Sequence, residues 1–172
     1  MMSYQERIKS AFNDSGIVFT DEELAAIEYA DFGLNNLESE GLNLIVYVNN
    51  ERYCAKEMVL LPRQTCPEHR HPKRGKVEGK QETFRCRKGK VYLYIEGSGS
   101  KEAIASSIPT GKEDYYTVFH EIELNPGEQY TIAPDTKHWF QAGDDGAIIS
   151  EFSSPSDDPS DIFTDPNIKR VQ

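Results

Sequence analysis

Only four histidines occur among the 172 residues, and two of them form the triplet His69-Arg70-His71. In an extended strand, residues two apart point to the same face, so these two imidazoles can reach one ion together. Glu82 opens a strongly strand-like run after the Gly- and Lys-rich stretch 73–80. His138 opens another after the turn Ala133-Pro134-Asp135-Thr136. Three neutral imidazoles and one carboxylate suit Mn, Fe, Co, Ni or Zn and leave positions open for water or substrate. His69, His71, Glu82 and His138 are therefore the expected metal ligands. The remaining histidine, His120, alternates with Tyr116, Val118, Ile122 and Leu124 along one strand face, which suits a packing role better than a ligand.

The elements that must hold these residues are mostly strands. Helical patterning is confined to the first third. Ser3–Phe12 has weak helical periodicity, and Thr20 with Glu23 makes a capping box leading into Leu24-Ala25-Ala26-Ile27. From Leu42 the chain turns β-branched and aromatic. Strands are expected at Leu42–Val48, Tyr53–Leu61, Glu82–Glu96, Tyr115–Leu124, Gln129–Ala133, His138–Ala142 and Ala147–Phe152, separated by turn clusters such as Asn125-Pro126-Gly127 and Gly143-Asp144-Asp145-Gly146. Many short strands without intervening helices mean a sandwich or barrel. The chain reads as one domain, residues 1–172: a helical segment over 1–40, a β-barrel over 41–152 and an irregular arm over 153–172 that packs through Ile162 and Phe163.

Composition narrows the partners. A formal net charge of −10 disfavours nucleic acid and acidic membranes. Between Arg63 and Lys90, ten Lys/Arg face three acids, and this local excess reads as a solvated basic face. No run approaches the roughly 20 apolar residues of a membrane span. Three cysteines without a CxxC pair argue against a disulfide framework, and Met1–Lys9 lacks the apolar run of a secretory signal. A cytoplasmic location is the expectation.

The wider spacing carries a resemblance. Glu82 is followed by six residues and Gly89, and Gly127 by five residues, Ala133-Pro134-Asp135, two more and His138. This resembles the two signature motifs of the cupin superfamily, which implies a mainly all-β, cupin-like β-barrel or jelly roll with short N-terminal helices. Ala133 and Asp135 stand where the motif usually has proline and glycine. A closer resemblance lies in Cys66-Pro67-Glu68-His69-Arg70-His71, Gly79-Lys80-Gln81-Glu82-Thr83-Phe84-Arg85-Cys86, the stretch 132–142, and Glu151-Phe152-Ser153-Ser154-Pro155-Ser156-Asp157-Asp158. These look like the motifs of cupin D-lyxose isomerases, with Ser156 where that family usually has asparagine.

The resemblance implies a homodimeric enzyme that interconverts D-lyxose with D-xylulose and D-mannose with D-fructose, preferably with Mn²⁺. It implies Lys80 and Glu151 as the catalytic pair. Moving a proton between C2 and C1 through a cis-enediol asks for a polarised carbonyl and a base over the carbon skeleton, and these residues suit that chemistry. Glu151 is read as the proton shuttle and Lys80 as the donor to the developing oxyanion or, where a nearby cation lowers its pKa, as the partner acid/base. Trp139 and Phe140 are expected as a sugar-stacking wall, with alternation sending one of the two into the core, and Arg170 as a group closing the pocket over a hydroxyl. Three other readings remain open: a cupin phosphosugar isomerase using the basic segment to hold phosphate, an iron-dependent dioxygenase, and a sugar-binding cupin without turnover.

Overall fold

The computed structural model describes residues 2–170. Two short helices lead the chain, α1 (Tyr4–Asn13) and α2 (Asp21–Ala25), each started by a capping box, from Ser3 with Glu6 and from Thr20 with Glu23. Nine strands follow: β1 (Glu28–Ala30), β2 (Leu42–Asn49), β3 (Cys54–Leu60), β4 (Thr65–Arg70), β5 (Glu82–Ile95), β6 (His120–Leu124), β7 (Gln129–Ile132), β8 (His138–Ser153) and β9 (Ile162–Phe163). No helix among the described residues is long and apolar enough to cross a membrane.

The topology hangs on two long antiparallel strands. The first half of β8 lies between β4 and the second half of β5, while its second half lies between β3 and the first half of β5. β1 and β2 extend the sheet beyond β3, β9 extends it beyond β4, and β6 and β7 flank the two halves of β5. One continuous sheet thus curls into a jelly roll around the core of Leu44, Met58, Phe84, Cys86, Leu93, Phe140 and Ile149. Outside the barrel, α1 buries Ile8 and Phe12 against Ile45, Val59 and Ile148.

The expected break at Gly143-Asp144-Asp145-Gly146 is not a turn: the two strands predicted on either side are one strand of 16 residues. β5 and β8 pair along both halves, and their ladder shifts register between Cys86 and Lys88 and between Gly89 and Val91. Gly89 takes φ 73°, and a side chain there would meet the Gly146 carbonyl oxygen at 2.0 Å. The glycines therefore bend paired strands rather than reverse the chain. The expected strand over Tyr115–Leu124 is likewise shorter. Its first residues form a 3₁₀ turn and an irregular segment, and pairing with β5 begins at His120.

A buried His3Glu cluster

The four expected ligand residues meet. His69 sits near the end of β4 in register with His138, the first residue of β8. Glu82 is the first residue of β5, and His71 lies just past the end of β4, so the triplet straddles a strand end. One ligand atom from each of His69, His71, Glu82 and His138 lies within 4.8 Å of the others, and all four residues are buried. Asp135 takes φ 57° at the glycine-like position before His138, a left-handed conformation that aspartate tolerates.

The hydrogen bonds fix which ring nitrogen faces the centre. Nδ1 of His69 donates to the Pro67 carbonyl and Nδ1 of His138 to the Thr136 carbonyl, both at 2.8 Å. Nδ1 of His71 donates to Asp161 Oδ1 at 2.5 Å. In the neutral rings the Nε2 atoms are thereby left as acceptors aimed inward. Nε2 of His138 is buried without a hydrogen-bond partner, although Glu82 Oε1 lies 2.9 Å away. A buried acceptor of this kind is satisfied by a cation, and the donor set fits a divalent metal.

The electrostatics agree. Burial, together with the charges of His138 and His71, holds His69 well below the ordinary imidazole pKa, so it is neutral. Burial would lower His71 too, but the Glu82 and Asp161 carboxylates raise it to about 9. Burial would raise Glu82, yet Lys80 and His71 hold it well below the carboxylate range. A proton on His71 and a metal ion therefore compete for the same carboxylate.

Lys80 and Glu151 stand beside the cluster. The Lys80 ammonium is 2.7 Å from Glu82 Oε2 and 2.5 Å from Glu151 Oε1, and it is buried. Gly79 makes this placement possible, because a Cβ there would lie 2.0 Å from the His71 carbonyl oxygen. Burial opposes the charge on Lys80, but the two carboxylates overcome it and raise its pKa, so it is an ammonium. Glu151 lies on the inward face of β8, in register with Phe84 on one side and Lys56 on the other. Ser153 donates to its Oε1 at 3.1 Å.

These groups open onto a cavity of about 410 Å³ including its mouth. Its apolar lining includes Leu44, Met58, Phe84, Phe140 and Phe163, and its polar lining adds Lys56, Asp158, Asp161 and Arg170. The expected arm is thus part of the pocket: β9 pairs with β4, and Phe163 packs 5.2 Å from the His69 ring. Ile162, expected to pack, faces solvent.

Trp139 is not part of the cavity. It is 0% exposed, stacks on Tyr94 at 4.0 Å, and donates its indole N–H to the Val118 carbonyl at 2.8 Å. With His138 pointing inward, alternation sends Trp139 to the outer layer and Phe140 to the cavity. The remaining histidine, His120, also lies outside the cavity, with Nδ1 3.0 Å from the Ser98 carbonyl. Two charged pocket residues, Lys56 and Asp161, were not singled out from the sequence, and Asp158 stood there only as part of the motif over 151–158. A lysine inside the apolar run Cys54-Ala55-Lys56-Glu57-Met58-Val59-Leu60 was the available clue, since its alternation with Met58 points it inward.

A curled jelly roll with three imidazoles and a carboxylate gathered inside it defines a cupin-type protein with a candidate divalent-metal site. Residues 21–172 match the model of the D-lyxose isomerase family, and the chain belongs to that family. It is 64% identical to the D-lyxose/D-mannose isomerase of Thermosediminibacter oceani, over 97% of this chain and 92% of the relative. It is 58% identical to the D-lyxose ketol-isomerase of Cohnella laeviribosi, over 97% and 91%. Among solved structures, L-ribose isomerase of Cellulomonas parahominis with no ligand has a TM-score of 0.78 at 17% identity, covering 96% of this chain and 91% of that one, a likeness of fold.

Proposed function

We propose that this protein is a metal-dependent aldose–ketose isomerase that interconverts D-lyxose with D-xylulose, and D-mannose with D-fructose, using Mn²⁺. The observation that carries the reading is the bridge from Lys80 to both Glu82 and Glu151, which sets an acid/base pair against the candidate ligand cluster inside one cavity. The names of the relatives support the choice of sugars.

His69, His71, Glu82 and His138 would hold the ion, which would supply Lewis-acid polarisation of the substrate's carbonyl. Glu151 removes the proton from C2 of the aldose, leaving a cis-enediolate, and returns it to C1 to give the ketose. The hydroxyl proton of O2 passes to O1 in the same interconversion, so no atom is gained or lost. Lys80 remains an ammonium and donates to the oxygen on which negative charge grows. The apolar walls exclude water from the enediol.

The protein is proposed to act as a homodimer in the cytoplasm. Exposed Tyr47, Tyr53 and Phe152 are apolar surface that a second copy would cover, and three unpaired, buried cysteines suit a reducing compartment.

The test is direct. Metal-depleted protein reconstituted with Mn²⁺ should convert D-lyxose to D-xylulose and D-mannose to D-fructose, and lose both activities to a chelator. Failure to convert either sugar would overturn the assignment.

A further inference from the structure

The far wall of the cavity holds charges that the proposed chemistry does not use. Lys56 lies on β3 in register with Glu151, and its side chain is only 6% exposed. Counted across the sheet, its Cα is two strands and two residues from that of Glu82, roughly 12 Å from strand spacing and rise. Both side chains line the cavity, with Glu151 between them on the curled sheet, so Lys56 lies at the end of the cavity remote from Glu82. Burying an ammonium costs several kcal/mol unless it is paired. Lys56 donates to Ser156 Oγ at 3.2 Å and has Asp158 Oδ1 at 3.5 Å, which balances its charge and leaves N–H donors free for the cavity.

Arg170 completes the wall, with a side chain 9% exposed. Its Nη2 lies 2.7 Å from Asp158 Oδ2 and 3.0 Å from Glu28 Oε1, while its Nη1 is buried without a partner among the described residues. Two cations thus meet two carboxylates, and the unmet capacity is for hydrogen bonds, not for charge. Burial works against Asp158, but Lys56 and Arg170 hold its pKa below the usual range, so its negative charge persists. Apart from Lys80, the neighbouring cations of the basic segment lie elsewhere: Arg70 pairs with Asp135, Lys73 with Glu78 and Arg74 with Asp157, and none of the three lines this cavity.

We propose that Lys56 and Arg170, balanced by Asp158 and Glu28, form a subsite that grips the distal hydroxyls of an uncharged sugar and turns away its phosphate ester. This rests on the isomerase reading and names the substrate class that the site selects. Lys56 and Arg170 donate to distal hydroxyl oxygens. Asp158 sets the two cations in place and repels a phosphate dianion, which would find no unpaired cation to receive it.

The test uses the full chain loaded with Mn²⁺ and two variants, Lys56→Met and Asp158→Asn. In Lys56→Met the KM for D-lyxose should rise about tenfold with kcat kept within a few-fold, the size of one lost hydrogen bond. In Asp158→Asn the ratio of kcat/KM for fructose 6-phosphate to that for D-fructose should rise about tenfold or more, because a net positive charge is released. Mn²⁺ content should be unchanged in both. If KM and the phosphate ratio stay at wild-type values while the wild type isomerises free sugars, the subsite is overturned and the isomerase reading stands. A loss of kcat at constant KM in Lys56→Met also overturns it, since the lysine would then serve the reaction centre. A wild type inactive on every free sugar overturns the parent reading and the subsite with it. Lys56→Met adds an apolar side chain inside the barrel, so it tests the subsite even if Asp158→Asn does not fold.

Discussion

Asp161, on the C-terminal arm, accepts a 2.5 Å hydrogen bond from Nδ1 of His71, a residue 90 positions earlier in the chain. The other two imidazoles of the cluster are oriented by backbone carbonyls two residues before them, so His71 alone depends on a distant side chain. Carboxylates in this position fix the tautomer and raise the basicity of a metal-bound imidazole. Asp161→Asn should weaken Mn²⁺ binding by about 10–100-fold, read by competition with a chelating dye. Wild-type affinity in that variant would show that His71 needs no such support.

Substitution distinguishes the proposed catalytic pair from the proposed ligand set. Glu151→Gln should lower kcat by about 10²–10⁴ while one Mn²⁺ per chain is retained, because the shuttle is removed and the ligand atoms stay. Lys80→Met should also lose turnover. It should hold the metal less predictably in kind, since Lys80 contacts ligand Glu82, so metal content must be measured beside the rate. Full activity in Glu151→Gln would move the proton transfer to another group.

Trp139 makes its contribution through packing. It is enclosed by Tyr94 and Tyr116, and Trp139→Ala should cost about 3–5 kcal/mol of stability, measured by denaturant unfolding. A variant of unchanged stability with a raised KM would instead return Trp139 to the sugar site.

Glu57 carries a pH dependence that lies outside the site. It points away from the cavity, accepts from Ser150 Oγ at 2.9 Å, and lies 3.3 Å from the Tyr47 hydroxyl. Burial raises its pKa, against the smaller pull of Ser150, Arg87 and Tyr47. A raised folded value means that the native state favours the proton. That stabilisation is complete below the ordinary value of 4.5 and is lost as pH rises through the folded one. Glu57→Gln should therefore melt higher than wild type at pH 7 and match it below pH 4.5. A lower melting temperature at pH 7 would contradict this sign.

Much of the site was legible because metal ligation demands particular residue types. His69, His71, Glu82 and His138 are few and conspicuous, and each sits at or just beyond a strand end that turn residues announce. Faces were harder. Alternation separates Trp139 from Phe140, but which of them looks inward depends on how β8 registers against β4 and β5, a long-range property. The continuity of β8 was hidden for a similar reason. Glycines read locally as a turn, and only the pairing with β5 shows that they let two strands bend past each other. Lys56 and Asp161 escaped notice because their meaning comes from what the arm lays against β3 and His71, contacts separated by about 90–100 residues of sequence.

The most direct measurement is an electron paramagnetic resonance titration of metal-free protein with Mn²⁺, following the free-ion signal. Wild type should suppress it up to one ion per chain, and Glu82→Gln and His138→Ala should leave it largely visible at the same concentrations. Suppression that never occurs in folded wild type, or that persists equally in both variants, would contradict a site built from these four side chains.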